Sequence, residues 1–173
     1  MFALRDYRVL IGLIVKLSGA EGWQSTMKSI SILNKKASFE FSFLEKFVAG
    51  MVLSGTEIKS IRLGKANITD GFCVIFNDEI LVRNIEISPY EKGTHYNHEP
   101  KRDRKLLLKR AEIRKLQNKM KDQGLTIVPI KLFISDEGWA KMEIALAKGK
   151  KLFDKRQDIK KRDTERETQR KLK

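Results

Sequence analysis

"ANITDGFCVIFNDEILVRNIEI", residues 66–87, decides the architecture. β-branched and aromatic residues run on both sides of Asn77–Asp78, two residue types that suit a tight turn. The stretch therefore reads as two strands joined by a turn. The same signature recurs on both sides of it. Downstream, "LTIVPIKLFIS" (125–135) and "WAKMEIALAKG" (139–149) are two β-rich runs around a turn at Asp136–Gly138. Upstream, "ASFEFSFLEKFVAGMVLSG" (37–55) alternates at Phe39, Phe41 and Phe43, then continues as an apolar run through Val52 and Leu53. That reads as two further strands.

Helical signals separate these runs. Ser54 with Glu57 three residues later matches a capping box. Ile58 and Ile61 supply an inward face, Gly64 is a natural stop, and Lys59 and Arg62 are left on the outside. "SPYEKGTHYNHEP" (88–100) is a polar loop. From about Pro100 to Gln123 the pattern turns helical, with Leu106, Ile113, Leu116 and Met120 on one face, and Gly124 ends it. About six strands in close succession, with a short and a long helix beside them, favour a mainly β chain folded as a small antiparallel β-barrel.

Charge narrows the function. The chain has 173 residues and a formal net charge of +14. Residues 148–173, "KGKKLFDKRQDIKKRDTERETQRKLK", carry +7 of it. Their only large apolar residues, Leu152, Phe153, Ile159 and Leu172, do not recur at helical spacing, so this basic tail is expected to be disordered when free. Nine further Lys or Arg fall between Lys101 and Lys119, against Asp103 and Glu112 only. Such density repels itself unless a polyanion faces it, which points to nucleic-acid phosphates. Tyr90, Tyr96, Trp139 and Phe153 are the aromatics able to stack on bases; Tyr90 and Trp139 serve equally well as barrel-edge packing.

Little in the chain looks catalytic. His95 and His98 form an H-x-x-H pair with only Glu91 and Glu99 nearby, which reads as a solvated loop rather than a metal site. The paired carboxylates Asp78–Glu79 and Asp136–Glu137 sit in expected turns. No nucleophile elbow or phosphate loop is present. The expectation is a protein that is not an enzyme and needs no cofactor. Cys73, the only cysteine, reads as a half-buried strand residue, which fits a reducing, cytoplasmic setting. Residues 1–26 contain "VLIGLIV" (9–15), a run far too short to span a membrane. They read as an extension or a mis-set start, with Met27 the working start. Residues 27–148 then form the RNA-binding domain and 149–173 the tail.

From about Leu33 onward the chain resembles the small protein B (SmpB) family, the tmRNA-binding proteins of bacterial trans-translation. The matching strings are "LNKKA" (33–37), "AGMVLSGTEIKSIRLGKANITD" (49–70), "NHEPKRDRKLLL" (97–108), "LTIVPIKLF" (125–133), "IALAKGKK" (144–151) and "DKR" (154–156), in family order. The resemblance implies an oligonucleotide-binding-like (OB-like) β-barrel with flanking helices. It implies an adaptor that grips the tRNA-like part of tmRNA and enters the vacant A site of a stalled ribosome. The tail would lie in the empty mRNA channel and turn helical there, and alanyl-tmRNA would arrive with elongation factor Tu. The rival reading is a general structured-RNA-binding or ribosomal protein without tmRNA preference. Carried over residue by residue, the RNA-binding positions are Asn34, Lys35, Lys59, Arg62, Arg104, Lys105 and Leu107, with Lys109 as an added phosphate contact. The tail signature maps to Gly149, Lys150, Lys151, Asp154, Lys155 and Arg156. Val48 stands where many members carry Glu, and Phe153 where many carry His.

Overall fold

The computed structural model describes residues 30–93, 97–121 and 123–151, together with 153, 154, 156, 159, 164, 167, 168 and 170. Among them are nine strands and three helices, β1 (Ser31–Leu33), α1 (Lys35–Glu40), β2 (Phe41–Met51), α2 (Gly55–Arg62), β3 (Ala66–Asn67), β4 (Phe72–Phe76), β5 (Glu79–Arg83), β6 (Glu86–Ile87), β7 (Arg104–Leu107), α3 (Arg110–Lys119), β8 (Leu125–Ile134) and β9 (Ala140–Gly149). Residues 1–29 lie outside the described part, and with them the expected boundary at Met27.

The 66–87 stretch forms a double hairpin rather than a single one. β4 and β5 pair from Phe72↔Arg83 to Phe76↔Glu79. Asn77 and Asp78 turn the corner at φ 47° and 57°, left-handed values that these two side chains tolerate. β3 and β6 continue the pairing outside it, Ala66 opposite Ile87.

Every strand pairing is antiparallel. The main sheet runs β1-β8-β4-β5-β7-β2-β9, and β9 pairs again with β8, so the ladders return to the strand they left. Ile61, Ile80, Val82, Leu106, Leu116, Ile127, Met142 and Ile144 are buried inside this circuit. A register shift between Pro129 and Lys131 changes the parity of β8, so Ile127 before it and Leu132 after it both face the core. A shift at Leu44 does the same in β2: Phe43 packs outside with Ala37, Val128 and Ala147, whereas Phe47 packs inside.

Three expectations need correction. The alternation at Phe39, Phe41 and Phe43 does not start a strand at residue 37. Asn34 Oδ1 accepts the Ala37 N–H at 2.9 Å and caps α1, so residues 35–40 coil and only one strand follows. The long helix expected over 100–123 begins at Arg110; residues 104–107 are instead β7, with Arg104 and Leu106 inward and Leu107 outward. Cys73 is fully buried, not half-buried, and burial pushes its thiol pKa far up. The short helix forms where expected, but its buried face is Glu57, Ser60 and Ile61, with Ile58 only half-buried. Ser54 and Glu57 form the capping box, and Gly64, at φ 73°, closes it: its N–H reaches the Ile61 carbonyl and the Lys65 N–H that of Ser60.

Candidate nucleic-acid interface

The strand register gathers residues that are far apart in the chain onto one outward face. Leu107 on β7 lies opposite Gly50 on β2, Gly50 opposite Lys141 on β9, Lys141 opposite Phe133 on β8, and Phe133 opposite Ser31 on β1. The adjacent row holds Val48, Glu143, Lys131 and Leu33. Five strands at about 4.8 Å spacing make a platform on the order of 20 Å wide. Val48, Leu107 and Leu33 are each more than half exposed on it. The Lys131 ammonium sits 5.2 Å from the centroid of the Phe133 ring. Glu143 is the carboxylate of these two rows, and Lys46 pairs with it at 3.1 Å. Gly50 presents no side chain, and the Leu107 side chain packs over it, 3.6 Å from where a Cβ would stand. Apolar, aromatic and cationic groups on an open sheet suit stacked bases flanked by phosphates.

α2 carries two further cations, which reach two different segments. Lys59 lies over the Tyr90 ring at 5.4 Å, and Arg62 donates to the Gly138 carbonyl at 3.3 Å. Both cations are exposed, as the helical period requires. Trp139, next to Gly138 in the chain, is 68 % exposed, so it is not barrel-edge packing.

Two of the expected RNA contacts are built into the interior instead. Arg104 is completely buried. Its Nε donates to Glu57 Oε1 at 2.8 Å, and its two terminal nitrogens donate to the carbonyls of Ile85, Arg102, Glu99 and Pro100. These bonds occupy the fork of donors that would otherwise meet a phosphate. Arg102 bonds both oxygens of Glu57 from the other side. Burial raises the Glu57 pKa, but Arg102, the Ser54 N–H and Arg104 outweigh it and hold the carboxyl below its usual value. Asn34 is also buried. Its amide donates to the carbonyls of Ile68, Thr69 and Pro129 while its oxygen caps α1. Both residues hold the loops behind the platform in place.

The remaining expected residues lie on the surface. Lys35 is exposed at the start of α1 and Lys109 at the start of α3, where Glu112 caps the Lys109 N–H at 2.9 Å. Lys105 pairs with Glu79. Five of the nine cations between 101 and 119 have carboxylate partners: Arg102 and Arg104 with Glu57, Lys105 with Glu79, Lys115 and Lys119 with Glu45. The basic segment is thus less self-repelling than its sequence suggests, and Lys101, Lys109, Arg110 and Arg114 are its cations without an ion pair among the described residues. Lys105, Arg110 and Arg114 line a cleft of about 450 Å³ between α3 and the β4–β5 turn.

His98 is not a solvated loop residue: its ring nitrogens meet Thr56 Oγ1 at 2.8 Å and the Ile87 carbonyl at 3.0 Å. His95 and Tyr96 lie outside the described residues.

At the root of the tail, Gly149 ends β9. The Lys150 N–H donates to the Glu40 carbonyl at 2.8 Å and its ammonium to the Ser38 carbonyl at 3.1 Å, and both partners belong to α1. The Lys151 N–H meets the Asp154 carboxylate at 3.3 Å. Phe153, Asp154 and Arg156 are helical and exposed; Lys155 lies outside the described residues.

Sequence reasoning passed over Glu57 as an ion-pair centre and the platform residues Lys131, Phe133 and Lys141. The alternation of Lys131 and Phe133 with buried Leu132 was the available signal for the platform.

A family model described as SmpB protein matches residues 31–173. The chain belongs to the SmpB family. Its relatives include the SsrA-binding protein of Cytophaga hutchinsonii, 56 % identical over 144 residues, covering 83 % of this chain and 94 % of that protein. The SsrA-binding protein of Christiangramia forsetii is 54 % identical over 138 residues, covering 80 % and 88 %. A solved chain described as "tmRNA-SmpB: a journey to the center of the bacterial ribosome" is 41 % identical with a TM-score of 0.61, covering 71 % of this chain and 86 % of that one. The mainly antiparallel β fold with a few helices is thus that of an SmpB chain. The SmpB match starts at β1 and takes in the platform, the α2 cations and the tail.

Proposed function

We propose that this chain is a non-enzymatic RNA-binding adaptor. It binds tmRNA and brings it to stalled ribosomes for trans-translation, so that the ribosome is rescued and the stalled peptide tagged. Membership of the SmpB family supports the assignment, and the observation that carries its geometry is the open platform of Leu107, Val48, Phe133, Lys131 and Lys141. The circuit of pairings from β8 through β4, β5, β7, β2 and β9 back to β8 supports reading the sheet as an OB-like barrel, a fold that presents such a face to nucleic acid.

Lys35, Lys59, Arg62, Lys105, Leu107 and Lys109 are the RNA-contacting residues on this reading, and Asn34 and Arg104 position them. Residues 27–148 form the RNA-binding domain. The tail from Gly149 enters the empty mRNA channel, where rRNA phosphates neutralise its charge and hold it helical. Elongation factor Tu takes part indirectly, through alanyl-tmRNA. The setting is the cytoplasm; among the described residues no helix is long and apolar enough to cross a membrane.

Titration of the full chain with tmRNA and with an equally long structured RNA, across a salt series, tests the reading. A preference for tmRNA that survives physiological salt is expected. Equal affinities that collapse together point to a general RNA-binding or ribosomal protein. Changing Asp154, Lys155 and Arg156 together to Ala is expected to spare tmRNA binding and abolish tagging. Equal loss of both defeats the division between platform and tail.

A further inference from the structure

The β8–β9 turn is more tightly built than a connection requires. The Ser135 N–H donates to the Trp139 carbonyl at 2.8 Å and the Gly138 N–H to the Ser135 carbonyl at 2.8 Å. The Trp139 N–H reaches Ser135 Oγ at 3.2 Å. Gly138 takes φ 84°, the left-handed position of a three-residue hairpin loop. Arg62 then ties the turn to α2 through the Gly138 carbonyl. The side chain held by this frame is Trp139, the most exposed of the described large hydrophobics, and Leu63 next to Arg62 is 58 % exposed. A hydrogen-bonded turn that keeps an indole in water, with exposed Arg62 bonded to the residue before it, makes a ready stacking surface with positive charge near its edge.

We infer that Trp139 is a stacking platform for an unpaired RNA base, with Arg62, bonded to the adjacent Gly138 carbonyl, placed for a phosphate that flanks it. This rests on the RNA-binding reading and adds to it a stacking residue on the α2 side of the molecule. Trp139 precedes β9 and sits two residues before Lys141, so it stands beside the row of Leu107, Gly50 and Lys141 rather than within it. The occupant is RNA rather than an apolar protein surface because exposed Arg62 is bonded to Gly138, the residue next to Trp139, and an apolar partner covering this turn would have to bury that charge.

The full chain in a Trp23→Phe background reports on this directly, since Trp139 is then its only indole. Emission is followed while tmRNA or ribosomes are added, and RNA binding is measured separately with labelled RNA. Stacking quenches the indole, and the RNA that quenches it identifies the source of the base. Trp139→Ala is expected to weaken binding of that RNA about 5- to 100-fold with an unchanged salt slope, because a stack involves no counterion release. Trp139→Phe keeps a ring and is expected to recover most of the loss. Circular dichroism confirms that both variants are folded.

RNA that binds wild type and Trp139→Ala equally and leaves the emission unchanged overturns the inference but spares the adaptor reading. A blue shift without quenching signals burial against protein and also overturns it. Failure to bind either RNA defeats both.

Discussion

Glu57 Oε1 and Arg104 Nε meet at 2.8 Å between two side chains that are both 0 % exposed. The pair joins the first turn of α2 to the first residue of β7, and through Arg104 it holds the carbonyls of residues 99, 100 and 102 against the sheet. A buried pair of this kind is costly to break, because the surviving charge has no water to turn to.

Glu57→Gln is therefore expected to destabilise the chain by about 3–5 kcal/mol, measured by urea denaturation. Arg104→Met leaves Glu57 paired with Arg102 and is expected to cost less, about 1–3 kcal/mol, through the carbonyls left without their donor. The double variant should be less destabilised than the two losses combined, since Glu57→Gln alone strands the buried Arg104 charge and the double variant does not. Additive losses would mean that the two residues act independently.

The same pair gives a pH dependence of definite sign. The Glu57 carboxyl has a native pKa below its unfolded value of about 4.3. Its contribution is complete above that value and is lost as the pH falls through the lowered native one. Between pH 7 and pH 3 the thermal-stability advantage of wild type over Glu57→Gln should narrow. A constant gap contradicts a depressed carboxylate at this position.

Arg104 and Lys109 look alike in sequence and should separate in a salt titration. Lys109→Ala should reduce the slope of tmRNA affinity against salt by about one unit. Arg104→Lys keeps the charge but loses the fork of donors. It should lower stability and leave that slope unchanged. A reduced slope for Arg104→Lys would mean that the guanidinium reaches phosphate after all.

Asn34→Ala removes the α1 cap and leaves the carbonyls of Ile68, Thr69 and Pro129 without their donor. A loss of at least about 2 kcal/mol is expected on chemical denaturation. Asn34→Asp keeps the cap acceptor but removes the donor, so it separates the two contributions. Neither change should alter the salt slope of RNA binding.

Local chemistry carries much of this protein on its face. Asn77–Asp78 specify a left-handed turn, Ser54 with Glu57 a helix start and Gly64 a helix end, because each depends on groups within a few residues. The charge of the tail and the family strings were likewise open to reading. Periodicity misled at 37–40, where one hydrogen bond from Asn34 outweighs a run of alternating phenylalanines, and at 104–107, where cations that look like a helix surface belong to a strand.

Only the tertiary structure decided which charges face water. Arg104 and Lys105 are neighbours in the chain, yet one is sealed against Glu57 and the other lies at the surface. Strand pairing alternates faces every residue, and the partner that neutralises Arg104 is 47 positions away. The platform likewise exists only through register: Leu107, Gly50, Lys141 and Phe133 become neighbours when four strands align. Sequence determines the elements that turn and the charge they carry; long-range pairing determines which residues meet, because burial and register are properties of the assembled sheet.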